Sequence, residues 1–292
     1  MDWKCGPTRT DHSLKVNPRR PGDGAASRRG GLGPTIIDRV RVAVIFLIAL
    51  SLAACNSGVS IDTSELNAWV AMTDGEELLT DIYLPEGSGP FPVILSRVPY
   101  GTKTEYIFQP QVGAFFTAHG YAYVTQNVRG RFGSEGEFTA YTQGQEIQDG
   151  FDTVEWISRQ PWSNGNVGVM GESYYGYTTL MAAVSGHPAI KAISPANITL
   201  AREKQTLDGA FPLQASGLWT LDMDDADRGE YQDTSQVDLY HLPLITLGEA
   251  YGLRDDLWRE RVSGYARSPL DLIADAREQY RLVRVPALHF GG

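Results

Sequence analysis

The chain has 292 residues, of which 42% are hydrophobic and 21% are charged. This is the composition of a globular protein and excludes disorder along the whole length. The formal net charge is −10, but residues 1–54 carry a net charge of +5 and residues 55–292 one of −15. The acidic larger part argues against nucleic-acid partners and against adsorption to an anionic membrane.

The amino-terminal segment has the organisation of an export signal. Its apolar run, Val42–Ala54, is shorter than the roughly 20 residues that span a bilayer, and it follows Arg39 and Arg41. A positive flank, a short apolar core and small residues at its end predict a secretory signal peptide. The end of the run and Cys55 resemble the lipobox of bacterial lipoproteins, which implies acylation of Cys55 and an exported, membrane-anchored protein. An ordinary signal peptide with a chance cysteine is the alternative.

Composition divides the chain into five segments. Residues 1–54 are interpreted as leader and signal peptide, and residues 55–66 as a polar tether. Residues 67–199 are interpreted as an α/β core. Residues 200–283 are acidic and lack strong strand patterns, which predicts a helical cap insertion. Residues 284–292 regain strand character and are expected to return to the core.

Strands and helices alternate within the predicted core. Asp74-Gly75, between two apolar runs, predicts a hairpin. Apolar residues at steps of four, three and three from Ile147 to Ile157 predict an amphipathic helix, which Pro161 ends. The predicted strands are Trp69–Met72, Leu78–Leu84, Phe91–Ser96, Tyr121–Gln126, Val167–Met170 and Ala189–Ile193, and the other predicted helices are 108–119 and Tyr174–Ser185. This order predicts a mostly parallel sheet with helices on both faces.

The segment Gly-Glu-Ser-Tyr-Tyr-Gly, residues 171–176, stands between a predicted strand and a predicted helix. This is the context of a nucleophile elbow, in which Ser173 takes a strained backbone conformation and the glycines allow close approach of strand and helix. The turn also places the serine at a helix N-terminus, where free N–H groups favour a developing anion. The spacing alone is a weak signal, because glycine and serine are common in turns.

Four motifs in order resemble the CocE/NonD family of serine hydrolases, the cocaine esterase, α-amino-acid ester hydrolase and X-prolyl dipeptidyl-peptidase type. The elbow has the family's form Gly-x-Ser-Tyr-x-Gly, and the resemblance extends over about residues 66–292. The other motifs are Ser-Arg-Val-Pro-Tyr-Gly at 96–101, Asn-Val-Arg-Gly-Arg-Phe-Gly-Ser-Glu-Gly at 127–136, and residues 149–162, which begin Asp-Gly-Phe-Asp-Thr-Val-Glu-Trp.

The resemblance implies an α/β-hydrolase fold with a helical cap and an acyl-enzyme on Ser173, formed from an ester or amide with a small acyl or aminoacyl part. It also implies an oxyanion hole made by the backbone N–H of Tyr174 and the phenol of Tyr100. Packing in a Pro-Tyr-Gly turn is the alternative for Tyr100. Asn127 replaces the family's usual aspartate, which we interpret as structural, and Arg129 and Glu135 are expected to pair or to brace loops.

The catalytic histidine and the acid that orients it should both follow the serine in this fold. His187, His241 and His289 follow Ser173. In the family, the segment that resembles 285–292 continues into the triad acid, whereas this chain ends at residue 292. We therefore expect a truncated chain in which the triad Asp and His are absent and activity is low. A non-catalytic lipoprotein fragment or relic on a hydrolase scaffold is the alternative function.

The sequence offers few further signs of a ligand. The acidic run Asp222, Asp224, Asp225 and Asp227 could attract an α-ammonium group, or it could be a solvated acidic face. No phosphate loop, metal-ligand cluster or cofactor motif is visible, so we expect neither a metal nor a cofactor. The expected partners are a small ester or amide substrate and a membrane, reached through the lipid on Cys55, and no nucleic acid.

Overall fold

The computed structural model describes residues 64–104, 107–198, 211–225, 236–252, 258–259, 262–263 and 269–291. The predicted signal peptide, residues 55–63 of the predicted tether with Cys55, and Asp227 lie outside the described residues. Within the described ranges, no helix is both long enough and apolar enough to cross a membrane.

Six strands form one mixed sheet. The strands are β1 (Ser64–Ala71), β2 (Glu77–Leu84), β3 (Phe91–Val98), β4 (Ala122–Asn127), β5 (Ser163–Glu172) and β6 (Ile190–Ala196). Their order in the sheet is β1-β2-β4-β3-β5-β6. β1 and β2 pair antiparallel on either side of Asp74-Gly75, which confirms the predicted hairpin. β2 also pairs antiparallel with β4, and β4, β3, β5 and β6 are parallel.

The described helices include three between the strands and three after them. They are α1 (Gln109–Ala118), α2 (Gln143–Ser158), α3 (Ser173–Val184), α4 (Leu218–Asp225), α5 (Leu247–Ala250) and α6 (Pro269–Leu282). A π-helical turn, Leu213–Gly217, leads directly into α4. Helices α4, α5 and α6 lie within residues 200–283, the predicted helical insertion. The boundaries of that insertion stay a prediction.

Strand β4 shows that helices cover both faces of the sheet. The side chains of Tyr123 and Thr125 donate hydrogen bonds to Gln109 at the start of α1, whereas Gln126 accepts one from Thr153 of α2. Successive side chains of a strand point to opposite faces, so α1 and α2 lie on opposite faces of the sheet. All six residues of β4 are buried, as expected for a strand covered on both sides.

The parallel part of the sheet extends beyond the predicted strands at two places. β5 is longer than the predicted strand Val167–Met170, because its polar first residues also pair with β3, beginning at Phe91 and Ser163. Beyond β6, Ala287 and Phe290 form parallel bridges to that strand. The carboxyl edge therefore runs from β4 through β3, β5 and β6 to residues 287–290.

Candidate active site

Ser173 lies at the junction of β5 and α3 in a strained backbone conformation. Its φ is 53°, in the left-handed region that non-glycine residues adopt at a cost of about 1–3 kcal/mol. The neighbouring glycines have no room for a side chain. A Cβ on Gly171 would lie 2.1 Å from the carbonyl oxygen of Tyr175, and one on Gly176 would lie 2.8 Å from that of Ala196. The tight turn therefore requires glycine at both places, and it leaves Ser173 half-buried at the carboxyl edge.

The first turn of α3 begins at the nucleophile and carries backbone N–H groups that the helix itself does not use. Ser173 is the first residue of the helix, and Glu172 at the N-cap makes no side-chain capping hydrogen bond. The first four N–H groups of a helix have no partner within the helix. Together with the helix dipole they favour negative charge at this end. The N–H of Tyr174 belongs to this turn, next to the nucleophile.

Tyr100 lies at the same edge of the sheet, two residues after β3, which is the parallel neighbour of β5. Its side chain is buried, and its hydroxyl accepts a hydrogen bond from Nε1 of Trp219 at 3.4 Å. Its ring packs edge-on against that of Tyr175, with centroids 6.1 Å apart. The structure thus brings Tyr100 against the turn that carries Ser173, and Trp219 of α4 against Tyr100.

The side chain of Tyr174 points into the protein while its backbone belongs to the elbow. It is fully buried and donates a hydrogen bond to Oε1 of Glu146 at 2.8 Å. Burial, with the negative charge of Glu146 beside it, holds the pKa of Tyr174 well above its ordinary value of 10. The Tyr174 phenol is therefore protonated at neutral pH and acts as a donor to Glu146.

The other residues singled out in the sequence brace loops. Asn127 accepts a hydrogen bond from the N–H of Thr102 at 2.9 Å and donates one to the carbonyl of Phe132 at 3.3 Å. An aspartate could accept the first bond but could not donate the second. Arg129 forms ion pairs with Asp149 and Asp74, and Glu135 accepts a hydrogen bond from the N–H of Glu77. Arg129 and Glu135 therefore brace different neighbours.

The described part of the chain contains four histidines, and none of them hydrogen-bonds Ser173. His119 contacts the carbonyl of Phe115, and His241 contacts the hydroxyl of Thr246. His187 accepts a hydrogen bond from the N–H of Ala189 at Nδ1 and donates from Nε2 to Glu155 at 2.9 Å. That histidine–carboxylate pair lies past the other end of α3. His289 is exposed beside the carboxyl end of β6.

Sequence reasoning missed a buried polar network behind the elbow. Arg97 of β3 is fully buried and donates to Glu146 at 2.9 Å and to Gln126 at 2.8 Å. A cavity of about 290 Å³ reaches Glu146 from the side of Arg129, and neither Ser173 nor Tyr100 lines it. Arg97 and Glu146 lie inside or beside the motifs that carry the family resemblance, but their pairing joins residues 49 positions apart, which a single sequence does not show.

The described residues contain no group of three or more histidine, cysteine, aspartate or glutamate side chains arranged to hold a metal ion. Asp222 is half-buried on α4, one turn beyond Trp219. The side chains of Asp224 and Asp225 lie outside the described part.

Comparisons with known proteins place these features in a family. The sequence profile described as X-Pro dipeptidyl-peptidase (S15 family) matches residues 74–292. A cocaine esterase from Rhodococcus sp. (strain MB1 Bresler) is 44% identical over 131 residues, which are 44% of this chain and 22% of that protein.

Two solved structures have similar folds. An aminopeptidase from a marine sediment archaeon, Thaumarchaeota archaeon, superposes with a TM-score of 0.65 at 26% identity, over 80% of this chain and 43% of that one. An α-amino acid ester hydrolase gives a TM-score of 0.61 at 26% identity, over 81% of this chain and 43% of that one. The matches thus cover less than half of each relative's length. They confirm the predicted α/β-hydrolase fold and the resemblance to the CocE/NonD family.

Proposed function

Because this chain belongs to the X-Pro dipeptidyl-peptidase (S15) family, we propose that it is a serine hydrolase that cleaves esters or amides through an acyl-enzyme on Ser173. The observation that carries the proposal is the positive φ of Ser173 at the strand–helix junction. A non-glycine residue keeps such a conformation only where the surrounding structure enforces it, and such strain is found at active sites. Gly171 and Gly176 allow the close approach of strand and helix in which Ser173 is held.

The proposed reaction has two steps. Oγ of Ser173 forms a bond to the substrate's carbonyl carbon while a general base takes its proton, and the alcohol or amine then leaves with a proton. Water cleaves the resulting ester in the same way and frees the acid. In both steps the carbonyl oxygen gains negative charge, which the N–H of Tyr174 and the phenol of Tyr100 would stabilise. A neutral phenol can donate without adding charge to the site.

The substrate that we propose has a small acyl or aminoacyl part. The rings of Trp219 and Tyr141 both pack against the ring of Tyr174, with centroid distances of 5.8 and 4.5 Å. They form an aromatic surface next to Tyr100, whose hydroxyl Trp219 contacts. Asp222, on the same helix as Trp219, supports recognition of an α-ammonium group, and a solvated acidic surface is the other interpretation. Comparing kcat/KM for aminoacyl and acetyl esters of one alcohol would separate the two.

The alternative is a non-catalytic protein on a hydrolase scaffold. It is favoured by the lack of a hydrogen bond between Ser173 and any histidine in the described ranges, since the nucleophile needs a base. The predicted inactivity of the 292-residue chain stays a prediction. Export and membrane anchoring through a lipid on Cys55 are also proposals, supported by the sequence pattern alone.

The decisive experiment labels the full-length protein with a fluorophosphonate and follows hydrolysis of a small activated ester. Ser173→Ala should abolish labelling and lower kcat to background, a loss of up to about 10⁶-fold. Ser185→Ala, at the far end of the same helix, is the matched control and should keep both. Labelling that survives in Ser173→Ala would place the nucleophile elsewhere, and a parent protein that neither labels nor turns over would favour the non-catalytic alternative.

A further inference from the structure

The oxyanion donor that follows the nucleophile is tied to a buried carboxylate. Tyr174 is the residue after Ser173, and its hydroxyl donates to Oε1 of Glu146 at 2.8 Å. The same hydroxyl accepts a hydrogen bond from the N–H of Tyr141 at 3.3 Å. The Tyr174 side chain is therefore fixed at its far end by two polar contacts, in addition to its ring packing.

Glu146 is itself fixed by a second element. Its other carboxylate oxygen, Oε2, accepts from Nη1 of Arg97 at 2.9 Å, and the Arg97 side chain has no exposed surface. Arg97 also lies 3.5 Å from Asp149 and donates to Gln126 of β4. A continuous polar path thus runs from two neighbouring strands, through the first turn of α2, to the residue that follows the nucleophile.

A buried ion pair is weak evidence for stability. Removing two charges from water costs free energy, and replacing a buried ion pair by well-packed apolar residues is often neutral or stabilising. Burial raises the pKa of Glu146, which shows the same cost, although the guanidinium of Arg97 opposes the shift. What such a pair provides is a fixed geometry, because each partner has directional bonds that apolar packing lacks.

We propose that Glu146 is a positioning residue for the oxyanion hole, which holds the phenol of Tyr174 and thereby fixes the backbone N–H beside Ser173. This inference rests on the proposed function, because it concerns the same acyl transfer. Stabilisation of the oxyanion depends on donors that are in place before the charge develops, and small displacements of catalytic groups cost large factors in rate. A hydrogen bond at the far end of a rigid aromatic ring limits such displacement.

The test compares three variants of the full-length protein, with ester turnover per fluorophosphonate-titrated site as the readout. Glu146→Gln keeps the size of the side chain but turns amide hydrogens or a neutral oxygen toward Arg97. Tyr174→Phe removes only the hydroxyl and leaves the Arg97–Glu146 pair. Tyr177→Phe is the matched control, because its buried hydroxyl also donates a hydrogen bond, to the carbonyl of Tyr141, from the same helix.

We expect Glu146→Gln and Tyr174→Phe each to lower kcat by roughly tenfold or more with little change in KM, because a transition-state interaction is weakened. The double variant should be little worse than either single variant, since both break one path. Tyr177→Phe should retain kcat. An inhibitor that mimics the tetrahedral oxyanion should lose affinity in the two test variants in proportion to kcat, which a purely structural role would not produce.

The outcomes that oppose the inference are separate from those that oppose the proposed function. If the parent is active through Ser173 and both test variants keep its kcat per titrated site, Glu146 only packs, whatever the variants do to stability. If Glu146→Gln does not fold, Tyr174→Phe alone decides between the two roles. If the parent shows no Ser173-dependent labelling or turnover, the proposed function fails and the inference fails with it.

Discussion

Replacing Tyr100 by phenylalanine separates a catalytic from a packing role for this residue. The substitution removes one oxygen from a side chain that is 5% exposed and leaves the ring, which packs against Tyr175. The hydroxyl accepts a hydrogen bond from Trp219 Nε1 at 3.4 Å, which is longer than the 2.7–3.2 Å range typical of N–H···O bonds. Tyr100→Phe should therefore affect packing little.

The two roles predict effects of different size. A neutral hydrogen bond contributes about 0.5–1.5 kcal/mol to stability, so loss of the bond to Trp219 should lower the free energy of unfolding by an amount in this range. Loss of one oxyanion donor, in contrast, typically costs about 10²–10³ in kcat, or about 3–4 kcal/mol of transition-state stabilisation. The fall in kcat should therefore far exceed the loss of stability, with KM nearly unchanged.

The assay measures kcat and KM for a small activated ester, together with urea unfolding. Tyr123→Phe is the control, because Tyr123 is also a buried tyrosine whose hydroxyl donates a hydrogen bond, to Gln109, but on β4 and facing α1. It should lose stability and keep kcat. If Tyr100→Phe keeps kcat within about threefold of the parent, the reasoning is refuted, since an oxyanion donor cannot be removed at so small a cost.

Three further predictions concern the elbow, the buried carboxylate and the lipid anchor. Gly171→Ala should destabilise the fold by about 3 kcal/mol or more in urea unfolding, because its Cβ would meet the carbonyl of Tyr175. Gly144→Ala is the control: its position in α2 has open space around it, so it should be neutral or stabilise the fold by up to about 1 kcal/mol. Burial raises the pKa of Glu146 above its ordinary value of 4.5, so its protonated form adds stability below pH 4.5, and this stability is lost as the pH rises through the folded-state pKa. The free energy of unfolding of Glu146→Gln relative to that of the parent should therefore increase from pH 4.5 upward. A difference independent of pH would contradict this. In a bacterium, Cys55→Ser should abolish incorporation of labelled fatty acid, and continued incorporation would rule out a lipid at this cysteine.

The local elements could be predicted from the sequence because their signals are local. The apolar run Phe91–Ser96 and the helical spacing from Ile147 to Ile157 each lie within one element, and the structure has β3 and α2 there. The ends of the strands and helices were less predictable. Residues 163–166 are polar or glycine, and they belong to β5 because of backbone pairing with β3, which side-chain pattern does not record.

The chemistry of the site could be predicted only as far as the motif reaches. Glycines at 171 and 176 indicated a tight turn, and the positive φ of Ser173 shows the same requirement in the structure. Trp219 lies 119 residues from Tyr100 along the chain and Glu146 lies 28 residues before Tyr174. Such contacts arise when elements that are distant in sequence become neighbours in the fold, so no local sequence pattern indicates them.

The two proposed oxyanion donors differ in how the protein can place them. The phenol of Tyr100 is positioned by its own side-chain packing and by Trp219, so a change of side chain removes the donor itself. The N–H of Tyr174 belongs to the backbone, and no substitution at that position except proline removes it. Its direction follows from the strained turn at Ser173 and from whatever holds the Tyr174 side chain. The buried contact with Glu146 is therefore a place where sequence change can tune a backbone donor.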